Sequence, residues 1–295
     1  MAITGTGVPT NRTNIALPAD ISAEILAKTQ GASAVMQLAR QITLPGRGVE
    51  IPVITGDPEA EWVGETGPKP VSNPGLDKKI MTAYKLAVIV PFSNEFRRDA
   101  ANLYAELVRR LPAALGAKFD ATVFGAVAAP GSNFDTFANC TAQNIGGTAT
   151  YAGLVAADTD VAVHGGILNG FAISPQAKGV LLTATDGQQR PLFINSVAEG
   201  AIPMILGSKT LVTKGAYKAG SGSTPNLVGV VGDWTQAVYG TVEGVQISIA
   251  DQATLGTGEN QINLFQQNMF AVRAEIEIGF RADTTVFNKL TTPAA

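Results

Sequence analysis

Few residues in this 295-residue chain could do chemistry, and their spacing argues against most of it. The single histidine, His164, would have to serve any Ser-His-Asp relay with Asp158 or Asp160, yet no G-x-S-x-G elbow accompanies it. It precedes Gly165-Gly166 at the end of a helical stretch, where an imidazolium complements the helix dipole, so a structural role is the better reading. One histidine also gives no basis for a His-rich metal site. Gly207-Ser208-Lys209-Thr210 ends like a phosphate-binding loop, but Gly200 stands seven residues before Gly207 rather than five, and no strand-loop-helix pattern surrounds it. Gly5-Thr6-Gly7, Gly46-Arg47-Gly48, Gly220-Ser221-Gly222 and Gly256-Thr257-Gly258 lack a third glycine and a following helix, and read as turns. Asp57, Glu59, Glu61 and Glu65 have the chemistry of an acid–base pair or a hard-cation site. A flexible loop cannot hold two carboxylates at a fixed separation, so solvated or paired charge is expected. Cys140, beside Asn139, has no basic neighbour to activate it and reads as inert. No catalytic, cofactor or metal site is expected.

Composition narrows the class. Hydrophobic residues make up 45% of the chain and charged residues 15%, against roughly 25% charged in ordinary soluble proteins, which hints at burial between subunits. With 32 glycines and 16 prolines the chain should be rich in turns, arms and short strands. The net charge is −3 and the basic pairs Lys78-Lys79, Arg97-Arg98 and Arg109-Arg110 are isolated, so no duplex-binding footprint is present. A single cysteine cannot form an intrachain disulfide. No signal-peptide pattern opens the chain, and no apolar run approaches the ~18 residues of a membrane span.

The elements that would position these residues follow from periodicity. Residues 1 to 18 read as an extended arm without its own core; a short helix capped by Asp20 and a second apolar patch at Val35, Met36 and Leu38 come next. Val49, Ile51 and Val53, then Tyr84, Leu86, Val88, Val90 and Phe92, alternate as strands. Between them lies a polar, Pro- and Gly-rich excursion around one large aromatic, Trp62. Leu103, Leu107, Leu111, Leu115, Phe119 and Val123 recur every fourth residue in the longest helix, which Pro112 should kink or restart. Residues 128–150 read as a connection to a second lobe. That lobe has a helix at 151–163, a strand at 170–174, a helix from Pro175 to Thr183 and a turn at Asp186-Gly187. The clearest alternation, Phe270, Val272, Ala274, Ile276, Ile278 and Phe280, marks a strand that should return to the sheet of 49–54 and 84–92, making the second lobe an insertion.

In that order, an arm, a long hairpin loop, a long helix, an inserted lobe and a closing strand, the chain resembles the HK97-type major capsid proteins of tailed bacteriophages. The stretches carrying the resemblance are AEWVGE (60–65) through KLAVIVPFSNEFRRDA (85–100), GFAISPQAKGVLL (170–182) with the turn TDGQQRPLF, VVGDWTQAVYG (230–240) and RADTTVFNKL (281–290). The likeness covers nearly the whole chain.

The resemblance implies an α+β, HK97-like capsid fold. Residues 1–48 would be its N-terminal arm, 49–92 the E-loop hairpin, 93–149 the peripheral domain with the spine helix, 150–235 the axial domain, and 236–295 the return into the peripheral domain. It implies a non-enzymatic subunit of an icosahedral phage head, assembling into hexamers and pentamers around double-stranded DNA. The implied partners are the chain itself, a separate scaffolding protein, a portal, a decoration protein and packaged DNA held only by weak non-specific contact, with no membrane. The implied location is the virion capsid, assembled in the host bacterial cytoplasm. Trp62 is then expected against a neighbour's apolar surface, with Glu61 or Glu65 pairing Arg97 or Arg98. Lys69, Lys78 or Lys79 would supply the amine of any covalent crosslink, and Asn288 the amide. The alternatives are an encapsulin-like compartment, which shares the fold but encloses enzyme cargo, and, from another class, a soluble hydrolase built on His164.

Overall fold

The computed structural model describes residues 33–46, 48–56, 62–63, 69, 71, 75–95, 101–185, 188, 190, 192–193, 204–256 and 261–294. The arm, the helix expected after Asp20 and the turn at Asp186-Gly187 lie outside them. In chain order the elements are α1 (Ala34–Leu38), β1 (Arg40–Thr43), β2 (Val49–Gly56), β3 (Gly75–Met81), β4 (Tyr84–Ser93), α2 (Ala101–Val123), β5 (Thr141–Asn144), α3 (Thr150–Val163), β6 (Gly170–Ile173), α4 (Pro175–Thr183), β7 (Met204–Ile205), β8 (Ser208–Val212), β9 (Asn226–Gly232), β10 (Ala237–Thr241), β11 (Gln246–Ala250), β12 (Thr254–Leu255), β13 (Ile262–Asn263), β14 (Met269–Ala282) and β15 (Phe287–Thr292).

The strongest alternation in the sequence becomes the longest strand. β14 buries Phe270, Val272, Ala274, Ile276, Ile278 and Phe280, while Arg273 is exposed and Glu275 and Glu277 half-buried on the opposite face. β4 runs antiparallel along one edge, from Met269↔Ser93 to Ile278↔Tyr84. β10 and β11 lie end to end along the other, and β1 joins β10 in parallel. α2 packs on this sheet through Leu111, Leu115, Phe119 and Val123, all buried at the predicted four-residue spacing. Pro112 lies inside α2, which continues unbroken to Val123.

A second, six-stranded sheet has the order β5-β15-β9-β6-β8-β7. Both its faces are covered, which is why β9 reads as an almost continuous apolar run. Ala172, Val230 and Phe287 join the core beneath α2, whereas Phe171, Ile173, Val231 and Leu290 pack with α3 and α4. α4 begins at Pro175 as expected, and Ser174 caps it, the serine Oγ accepting from the Ala177 amide at 3.1 Å.

The chain departs from the expected organisation at three places. The hairpin from Val49 is closed by β3, not β4, with pairing from Val49↔Met81 to Gly56↔Gly75. Lys78 and Lys79 hid this strand, since a two-stranded ribbon with no further strand beside it among the described residues can carry charge on either face. Residues 128–150 are more than a connection, because Phe134 and Phe137 enter the core and β5 pairs in parallel with β15. Finally, β10, β11 and β14 return to the first sheet, but β15 sits inside the second. Phe287 and Leu290 fall an odd number of residues apart on β15, so they point to opposite faces, and both faces there are apolar.

Candidate functional site

The β2–β3 ribbon is anchored at its base and extends from there without another strand beside it among the described residues. Leu44, Met81 and Val238 form a small core, with Val49 and Ile51 packed against it. Gly48 makes the turn into β2 at φ 84°, where a Cβ would come within 2.5 Å of the Met81 carbonyl oxygen. Beside this core, the Arg281 guanidinium reaches an Asp135 carboxylate oxygen at 2.8 Å and also donates to the Ile80 carbonyl at 2.8 Å. Lys79 donates to the Ala282 carbonyl at 2.8 Å, 3.7 Å from Asp135. Asp135 also accepts from the Ala282 amide, so one half-buried carboxylate ties β3, β14 and the segment after α2 together.

Beyond the base, Trp62 is fully exposed at 105% and Val71 at 87%, and Lys69 is exposed as well. An isolated two-stranded ribbon is marginal in water, and a solvated indole gains nothing from it. Of the residues expected to pair across subunits, Glu61, Glu65, Arg97 and Arg98 lie outside the described residues. The amide expected to serve a crosslink, Asn288, is fully buried; it accepts from Gln143 and donates to the Ala157 carbonyl, both at 3.5 Å.

A second junction escaped sequence reading. Asp120 lies on the buried side of α2, where Oδ1 accepts from Ser33 Oγ at 2.5 Å and the Val35 amide at 3.3 Å. Its Oδ2 accepts from the Ala34 amide at 2.9 Å and Thr213 Oγ1 at 3.1 Å. One carboxylate thereby holds the start of α1, the long helix and the loop after β8. Burial pushes this carboxyl above its ordinary value, and the four donors oppose that rise. The signal was available, since a charged residue between Phe119 and Val123 falls on the helix's apolar side.

The groups with chemical potential have structural employment. His164 follows the last turn of α3 and its Nδ1–H donates to the Asp160 carbonyl at 2.8 Å, while Asp158 is exposed to solvent. Gly207 and Leu206 form the two-residue turn joining β7 to β8, both at positive φ, which removes the phosphate-loop reading. Cys140 is buried, its thiol pushed up to about 12 by desolvation and donating to the Thr284 carbonyl. Among the described residues no group of three His, Cys, Asp or Glu could hold a metal, and no helix is long and apolar enough to cross a membrane.

The site is thus a self-paired ribbon with an exposed tryptophan beyond its base, beside two sheets that share a core. The sequence pattern of the phage capsid family matches residues 13–284. The chain belongs to the phage capsid family. It is 30% identical over 288 residues to the probable major capsid protein gp17 of Mycobacterium phage L5, covering 91% of this chain and 86% of that protein. It is 24% identical to the major capsid protein of Staphylococcus phage 80alpha, covering 92% and 83%. Among solved structures, a chain from Gordonia phage Cozz superposes with a TM-score of 0.74 at 21% identity, covering 89% of this chain and 87% of that one. A chain from Mycobacterium phage Adephagia gives 0.71 at 22%, covering 89% and 91%. The fold is therefore HK97-like and α+β, and this phage capsid protein is a structural subunit of the head and part of the virion, not an enzyme.

Proposed function

We propose that this capsid subunit tiles an icosahedral shell as hexamers and pentamers around double-stranded DNA, using the β2–β3 ribbon as an E-loop that lies over a neighbour. The observation that carries this reading is the contrast between the fixed base of the ribbon and the full exposure of Trp62 beyond it. Arg281, Asp135 and Lys79 aim the ribbon, and Trp62 and Val71 beyond it stand exposed, as residues awaiting a neighbouring copy would. In the assembled shell Trp62 packs on a neighbour's apolar surface, Glu61 or Glu65 pairs with Arg97 or Arg98, and Lys69 lies in the same contact.

In this reading α2 is the spine helix, and the sheet built on β14 together with α2 is the peripheral lobe. The six-stranded sheet is the axial lobe, adding residues 141–144 and 287–292 to 150–235. A separate scaffolding protein, a portal and a decoration protein complete the head. The net charge of −3 supports only weak, non-specific contact with the packaged DNA. Assembly takes place in the host bacterial cytoplasm.

The test is negative-stain electron microscopy of the full chain, purified from infected cells or co-expressed with its scaffolding protein. Closed icosahedral particles that fill with DNA are the expected result. Shells filled with enzyme cargo, or small oligomers alone in the presence of scaffold, would sink the reading.

A further inference from the structure

Once the chain is folded, two apolar surfaces remain at opposite edges of the six-stranded sheet. At the β5 edge, α3 displays Tyr151, Val155 and Val163 at 55%, 37% and 76% exposure, aligned at helical spacing. With Gln143 of β5 they line an open groove. At the opposite edge, the β7–β8 hairpin displays Met204, Leu206 and Val212 at 59%, 40% and 49%. Leu206 stands out, because at φ 47° it occupies a turn position that favours glycine or asparagine while pointing an apolar side chain at solvent.

The charges at the two edges are opposite. Residues 141–169 contain Asp158 and Asp160 and no lysine, arginine or glutamate; residues 204–226 contain Lys209, Lys214 and Lys218 and no acid. Asp158, Lys209 and Lys214 are exposed, and Asp160 leaves its Oδ2 without a hydrogen-bond partner.

We propose that these surfaces are the two halves of one contact between copies of this chain, the acidic α3 groove of one subunit receiving the basic Leu206 hairpin of the next. The proposal rests on the head-subunit reading and says how a ring within that head is closed. Pairing either surface with itself would set aspartate against aspartate or lysine against lysine, which disfavours a two-fold dimer. Contacts between unlike surfaces at opposite edges instead repeat head to tail, and close when the rotation per subunit divides the circle. One interface with small angular tolerance then serves both fivefold and sixfold rings.

The experiment reverses each surface separately, Asp158→Lys with Asp160→Lys on one and Lys209→Glu with Lys214→Glu on the other, and then both together in one chain. Circular dichroism checks the fold of each, and shells are counted by sedimentation and microscopy after co-expression with scaffold. Each single reversal is expected to lower shell yield by about tenfold or more, and the combined chain to recover it. Single reversals that assemble at the unmodified yield overturn the contact, as does a folded combined chain that fails as badly as they do. If the unmodified chain forms no shells, the head-subunit reading falls, and the contact with it. A second measurement is independent of charge. Val155→Cys and Leu206→Cys in one chain should give a ladder of subunit multiples with a bismaleimide, whereas either alone should give none. Dimers from Val155→Cys alone would mean like-with-like pairing and overturn the proposal.

Discussion

The chain's 2 tryptophans sit at opposite extremes of the same molecule. Trp234 is 2% exposed, donates from Nε1 to the Gly170 carbonyl at 3.0 Å, and meets Phe137 and Phe287 edge-on with centroids 5.7 and 5.2 Å away. Phe137 in turn stacks on Phe287 at 4.4 Å and touches Phe280 of β14, so this aromatic cluster is where the two sheets become one core. Trp62, on the ribbon side of the molecule, touches solvent on every side. One indole stabilises the subunit and the other contributes nothing to it. The proposed contact assigns the second indole to another copy of the chain.

The comparison breaks most easily at the buried end. Trp234→Ala removes the indole that packs edge-on against Phe137 and Phe287 and takes away its donor to the Gly170 carbonyl, a loss of roughly 3–5 kcal/mol from cavity formation alone. Urea unfolding of the unassembled subunit should show that loss, and a shift below 1 kcal/mol would mean that the two sheets do not depend on this cluster. Trp234→Phe should cost much less, because it keeps aromatic packing and gives up mainly the hydrogen bond.

Asp120 sharpens the same contrast from the polar side. In Asp120→Asn, either orientation of the amide turns its N–H groups toward a backbone donor, Ala34 on one side or Val35 on the other. The expected cost is about 1–3 kcal/mol in the same unfolding assay. The pH dependence has a definite sign. Because burial raises the folded carboxyl above the unfolded value, the folded state binds the proton more tightly, and stability rises as pH falls through that window. The advantage of Asp120 over the asparagine variant should therefore widen on acidification from above the folded pKa toward the ordinary carboxylate range. An advantage that narrows would show that the four donors outweigh desolvation.

Legibility followed the same division. Elements with one regular face or a clear start were readable: β14 from its alternation, α2 from its four-residue repeat, α4 from Pro175. β3 was not, because Lys78 pairs with Glu50 in solvent and Lys79 stands beside it, which leaves Met81 as the one buried apolar side chain among its described residues. The crossing of β15 into the second sheet was hidden for the opposite reason, since a strand buried on both sides has no polar face to orient it. Trp62 could be singled out because a large aromatic in a polar excursion has no intrachain explanation, whereas Asp120 passed as one of many helix charges until the fold enclosed it. In the proposed shell the partners of Glu61, Glu65, Arg97 and Arg98 lie on a neighbouring copy, which no pattern within one chain can display.

The smallest expected effect on stability is the most telling for function. Trp62→Ala should change the unfolding free energy of the isolated subunit by no more than about 0.5 kcal/mol, as for any solvated surface side chain. If the ribbon docks on a neighbour, the same substitution removes an anchoring aromatic from an interface, where such residues commonly account for about 2 kcal/mol or more. Shell yield should then fall by at least about tenfold at unchanged subunit stability. A Trp234→Phe background makes Trp62 the sole indole, so its fluorescence should move to shorter wavelength as subunits assemble and the ring leaves water. Normal shells from Trp62→Ala, or an emission that stays at the solvated wavelength in intact particles, would mean that the exposed indole is not part of the contact. The division between a tryptophan that folds the subunit and one that joins it to another would then fail.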